Sequence, residues 1–152
     1  ANNGTRINPT LIEGFVMPNG EYQPAAEPTR TEVISESAAK TLIEMMETVV
    51  SDEGTAPLAS IPGYRVAGKT GTAQVVDPAC KCYSKDVIAS FIGIAPAEDP
   101  EIVVAVAIHH PKNGRYGGLL AGPVFKQVAQ YSLQKMNVAP SVGKPKGYAV
   151  EW

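Results

Sequence analysis

The 152-residue chain reads as an α/β domain, an antiparallel sheet core flanked by helices, on three observations. Three β-leaning segments, at about 64–76, 87–95 and 101–109, follow one another with short connections, which is the pattern of an antiparallel meander. The last of them contains a nearly unbroken apolar run at 102–108, and such a run predicts a strand covered on both faces. Helical patterns at about 35–50 and 123–136 bracket these strands and supply the covering layers. Composition agrees with one buried core, at 44% hydrophobic and 18% charged residues. A net charge of −2 with no basic tract gives no reason to expect nucleic acid as a partner. No run approaches the length of a membrane helix, and no signal sequence stands at the start.

Each element has a local reason. Residues 1–34 are turn-rich, with Pro9, Pro18, Pro24 and Pro28, and suit a short strand at about 11–17 plus an excursion. Ser35 is a good N-cap and Glu36 suits a first turn. Ala38, Leu42, Ile43, Met45, Met46 and Val49 then form the apolar stripe of a helix to about residue 50. The stretch 51–62 is a loop by composition, and 64–76 is one long strand. The connection 77–86 holds Cys80 and Cys82. A bridge across one intervening residue is strained, so a disulfide and two free thiols both remain open. Cys-x-Cys together with His109 and His110 raises a metal site, but zinc wants wider spacing within each pair, and adjacent strand residues point to opposite faces. The five residues 96–100, with Pro96 and Pro100, make a hairpin-length turn. A flexible loop through Gly114, Gly117 and Gly118 leads to Pro123, expected near the start of the last helix. In the tail after 138, Tyr148, Val150 and Trp152 alternate as in a short docked strand.

The chemistry concentrates in Gly68-Lys69-Thr70-Gly71-Thr72, which admits two incompatible readings. From Gly63 the residues match G-x-x-x-x-G-K-T, a phosphate loop of a nucleotide-binding protein. That loop needs a strand before it and a helix directly after Lys-Thr, so that backbone N–H groups face the phosphates. Here a loop precedes, and the β-leaning Thr72-Ala73-Gln74-Val75-Val76 follows, with no helix start signal. In the second reading the residues lie on a strand. Thr70 and Thr72 then share one face, and Lys69 and Gly71 the other. Two hydroxyls, adjacent backbone N–H groups and a nearby ammonium suit a carboxylate or a developing oxyanion, and Gly71 admits a close backbone or substrate.

Gly68-Lys69-Thr70-Gly71-Thr72-Ala73-Gln74, Ala89-Ser90-Phe91-Ile92-Gly93-Ile94-Ala95-Pro96, Tyr116-Gly117-Gly118 and Ala121-Gly122-Pro123-Val124-Phe125 occur in that order. Together they resemble the C-terminal half of the transpeptidase domain of class B penicillin-binding proteins, the likeness running over about 1–138 with 139–152 as a tail. The resemblance implies a peptidoglycan D,D-transpeptidase of septation or elongation that works through a serine acyl-enzyme, is the target of β-lactams, and needs no cofactor or metal. It implies that Lys69 contributes positive potential near the serine, that the Thr70 and Thr72 hydroxyls bind the substrate carboxylate beside Gly71, and that the Thr72 backbone N–H is half of the oxyanion hole. It implies that Tyr116 lines the cleft. A β-lactam sensor or β-lactamase of the same fold shares Lys-Thr-Gly.

Two further elements of the family, Ser-x-x-Lys carrying the nucleophile and Ser-x-Asn, belong upstream. No Ser-x-Asn occurs, and Ser37-Ala38-Ala39-Lys40 falls on the first turns of the predicted helix, close before Lys69. The expectation is therefore one wall of an active site, inactive alone. Nucleophile and membrane anchor would lie in an N-terminal part outside these residues, and the enzyme would face the extracytoplasmic side of the membrane. The expected partners are that N-terminal half, stem peptides, β-lactams and the cell-wall synthesis machinery. The opening Ala1-Asn2-Asn3-Gly4-Thr5 agrees with a start inside a domain.

Overall fold

The computed structural model describes residues 1–141, so the alternation at Tyr148, Val150 and Trp152 lies outside the described residues. The chain divides into two compact units, residues 2–40 and residue 41 onward.

In the first unit, turn-forming residues break the chain into four short strands. β1 (Thr5–Ile7) pairs antiparallel with β4 (Arg30–Glu32), and β2 (Gly14–Val16) with β3 (Tyr22–Pro24). The strand expected at 11–17 is thus the shorter β2, part of a hairpin. α1 (Glu36–Glu47) begins in this unit, and Ser35 caps it: the Ala38 N–H donates to Ser35 Oγ at 3.3 Å. The helix tightens into a 3₁₀ turn at Thr48–Val50.

The second unit is built on a three-stranded antiparallel sheet of β5 (Ala67–Asp77), β6 (Cys82–Ala95) and β7 (Ile102–His109), in the order β5-β6-β7. β5 starts at Ala67 rather than at 64, because Gly63 has φ +83° and the Tyr64 N–H closes a turn onto the Ile61 carbonyl. β6 starts well before 87. After a register shift between Gln74 and Val76, the hairpin continues through Val76 opposite Tyr83 and Asp77 opposite Cys82. At its tip Cys80 and Cys82 form a disulfide, which resolves the alternative left open by the spacing.

α2 (Gly117–Lys135) covers one face of the sheet, and its buried Ala121, Phe125, Ala129 and Leu133 recur every four residues on the inner side. The helix starts earlier than Pro123, which lies inside it. The reason is close packing. A Cβ on Gly117 would collide with the Ser90 carbonyl, and one on Gly118 with the Thr55 carbonyl, so these two glycines bring the first turn down onto its neighbours. Pro123 forfeits one internal hydrogen bond. Facing glycines also shape the core. Gly68 lies opposite Gly93, and a side chain at either would strike the rings of Phe91 or Phe125. Those rings are fully buried and meet edge to face at 4.9 Å.

On the opposite face, Ile43 and Met46 of α1 pack against Ala67, Ile94 and Ala97. The sheet therefore has a helix on each side, but the cover is unequal. Ile102, Val104, Val106 and Ile108 pack into the core, whereas Val103 is 57% exposed. The expectation that 102–108 is covered on both faces fails among the described residues, because α1 reaches β5 and the end of β6 rather than β7. The α1 stripe is likewise narrower than expected: Leu42 and Met45 are exposed, and the buried line includes Glu47.

Candidate active site

Pairing with β6 orients the central segment of β5. Thr70 stands opposite Phe91 and Thr72 opposite Ala89, on the α2 side of the sheet, while Lys69 stands opposite Ile92 and Gly71 opposite Ser90. An open cleft of about 330 Å³ lies between β5 and the start of α2, lined by Thr55, Thr70, Thr72, Tyr116 and the first residues of the helix. Thr55 Oγ1 and Thr70 Oγ1 are 3.3 Å apart. Tyr116 occupies the N-cap position of α2 with extended backbone and makes no side-chain cap, and it is 63% exposed. The positive end of the helix dipole therefore faces the cleft. Three threonine hydroxyls, a helix N-terminus and no acidic side chain among the lining residues suit a small anion such as a carboxylate.

Among the residues named from sequence, Thr70, Thr72 and Tyr116 come together in this cleft. Lys69 and Gly71 do not join them. Lys69 is exposed on the other face and its Nζ donates to the Thr70 carbonyl at 2.8 Å. The space left by Gly71 is taken up by the Ser90 side chain, which a Cβ would strike. Thr55 was missed. It sits in a loop with no period, and only the fold brings it to Thr70.

The phosphate-loop geometry is absent: Lys69 and Thr70 run on as strand to Asp77 with no helix after them. Ser37 and Lys40 have local engagements on α1. Ser37 Oγ lies 3.1 Å from Ser35 Oγ, and Lys40 Nζ lies 2.6 Å from Glu36 Oε1. That pairing holds the Glu36 carboxyl below its ordinary range, through the hydrogen bond first and the charge second. His109 ends β7, and His110 turns away at φ +48° while its N–H donates to the Val87 carbonyl. No group of three or more metal-ligating side chains is placed to hold a metal among the described residues.

The base of β5 is anchored by Arg65. Its Nε donates to Glu47 Oε2 at 2.9 Å and its Nη2 to Glu47 Oε1 at 2.5 Å, and Glu47 is buried at 4% exposure. The Glu47 hydrogen bonds raise the guanidinium pKa further above its ordinary value, against the opposing effect of burial. The Arg65 carbonyl accepts from the Ala97 N–H at 2.8 Å, and the Arg65 N–H donates to Ser141 Oγ at 3.1 Å.

Comparison with known proteins places this geometry. Residues 1–130 match the family described as "Penicillin binding protein transpeptidase domain". Penicillin-binding protein PbpB of Mycolicibacterium smegmatis is 40% identical over 95% of this chain and 24% of its own length. Peptidoglycan D,D-transpeptidase FtsI of Escherichia coli K12 is 40% identical over 71% of this chain and 18% of its own length. Penicillin-binding protein 3 of Mycobacterium tuberculosis, solved in complex with ampicillin, superposes with a TM-score of 0.86 at 33% identity, over 95% of this chain and 34% of that one. The chain spans about a quarter of the length of the PbpB it matches. Among the described residues no helix is long and apolar enough to cross a membrane. With an ordered β5–β6–β7 sheet between helices, a Lys-Thr-Gly-Thr strand at its edge and a family match over most of its length, the chain belongs to the penicillin-binding protein transpeptidase family, class B.

Proposed function

We propose that this chain forms the Lys-Thr-Gly wall of a peptidoglycan D,D-transpeptidase. The observation that carries the reading is the cleft in which Thr70 and Thr72 stand side by side beneath the N-terminus of α2. Residues 1–138 are the C-terminal part of the transpeptidase domain and 139–152 its tail. The serine nucleophile, its lysine and a membrane anchor come from residues outside this sequence, and the enzyme works on the extracytoplasmic side of the membrane alongside the wall-synthesis machinery. This chain alone is inactive.

In that enzyme the serine Oγ attacks the carbonyl carbon between the two terminal D-Ala residues of a stem peptide. The C–N bond breaks and D-Ala leaves, its amine taking up a proton. The amine of a second stem peptide then attacks the acyl-enzyme ester, forms the cross-link and frees the serine. The Thr70 and Thr72 hydroxyls donate to the carboxylate of the leaving D-Ala, or to that of a β-lactam, beside Gly71. The Thr72 backbone N–H serves the tetrahedral oxyanion, Lys69 contributes positive potential, and Tyr116 walls the cleft. Among the described residues β5 pairs only with β6, so its other edge is available to an extended peptide.

Intact-mass spectrometry of the complete enzyme after benzylpenicillin tests this. A long-lived adduct on a serine outside this chain is expected, and Thr72→Pro, which deletes the N–H, abolishes it; loss of one such donor typically slows acyl transfer by about 10²–10³. An adduct on Ser37 would overturn the assignment of the nucleophile, and rapid turnover of the drug would make the protein a β-lactamase.

A further inference from the structure

We infer that Thr55 is a positioning residue of this site, orienting the Thr70 hydroxyl toward a bound carboxylate. The assignment rests on the transpeptidase reading above and adds a residue to it. Thr55 lines the same cleft as Thr70 and Thr72, and its Oγ1 lies 3.3 Å from Thr70 Oγ1. It is separated from Thr70 by a loop and a turn, so the contact is tertiary.

The scaffold fixes Thr55 from both sides. A Cβ on Gly54 would collide with the carbonyls of Thr48 and Val49, so the loop lies flat against the 3₁₀ turn. Ala56 is fully buried and its N–H donates to the Val49 carbonyl at 2.8 Å. The Thr55 carbonyl itself fills the space left by Gly118 at the start of α2. The hydroxyl is thereby held over the cleft by packed backbone, with Thr55 exposed on the cleft side.

A threonine hydroxyl has one proton to give and two lone pairs to receive. When Thr55 donates to Thr70 Oγ1, the Thr70 proton is left for the anion in the cleft, and accepting one bond strengthens the one it donates. A carboxylate has no proton to offer, so it selects this direction of the pair. Without Thr55, Thr70 loses its donor partner and the preferred direction of its proton. The ligand class is a carboxylate at the end of a peptide or on the ring fused to a β-lactam, and the effect appears only with the charged group present.

The test compares acylation of the complete enzyme by benzylpenicillin with acylation by benzylpenicillin methyl ester, which lacks the anion. Thr55→Val is expected to slow the first by about two- to tenfold, the range for one hydrogen bond, and to leave the second unchanged. Thr55→Ser restores the wild-type ratio, and Thr55→Ala repeats the experiment if the valine variant does not fold. Equal slowing with both compounds would make Thr55 merely structural and overturn the assignment, as would an unchanged ratio in Thr55→Val. If the wild type is acylated by neither compound, the transpeptidase reading itself fails and takes this assignment with it. If the wild type discriminates and the variants do so equally, only this assignment fails.

Discussion

Lys40 and Glu36 sit one turn apart on α1 with Nζ and Oε1 2.6 Å apart, and both side chains are more than half exposed, at 64% and 57%. Such a pair contributes little in water and is weakened by salt. Its signature is therefore a titration. The Glu36 carboxyl titrates below its ordinary range in the folded chain because Lys40 favours the charged form. A folded pKa below the unfolded one means the contribution is complete above the ordinary carboxylate pKa and is lost as pH falls through the lowered one. NMR titration of the Glu36 carboxyl should show the midpoint moving up in Lys40→Met and in high salt. An unmoved midpoint would refute the pairing. The same pairing occupies the lysine of Ser37-x-x-Lys40, which supports reading that Ser-x-x-Lys as helix surface.

At the scale of elements, the position of β5 depends on what holds its base. Arg65 precedes the strand and ties three segments to it: α1 through Glu47, the turn after β6 through Ala97, and the residues after α2 through Ser141. Glu47 occupies a buried position of α1 that an apolar stripe would give to Leu or Ile. Breaking a buried pair leaves an uncompensated charge, so Glu47→Gln should destabilise the protein by about 2–4 kcal/mol. That is below the figure for a wholly buried pair because the Arg65 side chain keeps 29% exposure. Denaturant unfolding of Glu47→Gln and of the double variant Glu47→Leu/Arg65→Met checks it, with the double variant expected to recover part of the loss. If Glu47→Gln unfolds with the wild-type midpoint, the pair is not an anchor.

For the molecule as a whole, stability lies in the layer between the sheet and α2. Phe91 and Phe125 are its largest buried side chains and meet at 4.9 Å, in space that Gly68 and Gly93 leave open. Phe125→Ala should cost about 3–5 kcal/mol, as for other buried aromatics, and should lower the thermal midpoint of the protein. A loss below about 1 kcal/mol would show that the core closes over the cavity. Much of this architecture was legible in sequence. The meander, the capped helix at Ser35 and the sharing of one face by Thr70 and Thr72 all follow from local rules, because period, cap and turn chemistry act over a few residues. Those rules also exclude the phosphate loop, since residues after Thr70 carry β-forming side chains and no cap. What they cannot supply is contact between distant segments. The start of α2 at Gly117, the burial of Glu47 against Arg65, the one-sided cover of β7 among the described residues and the meeting of Thr55 with Thr70 were decided only by tertiary packing. Each depends on how closely two backbones approach or on which groups remain to satisfy a buried charge, and neither quantity is a property of a single stretch of chain.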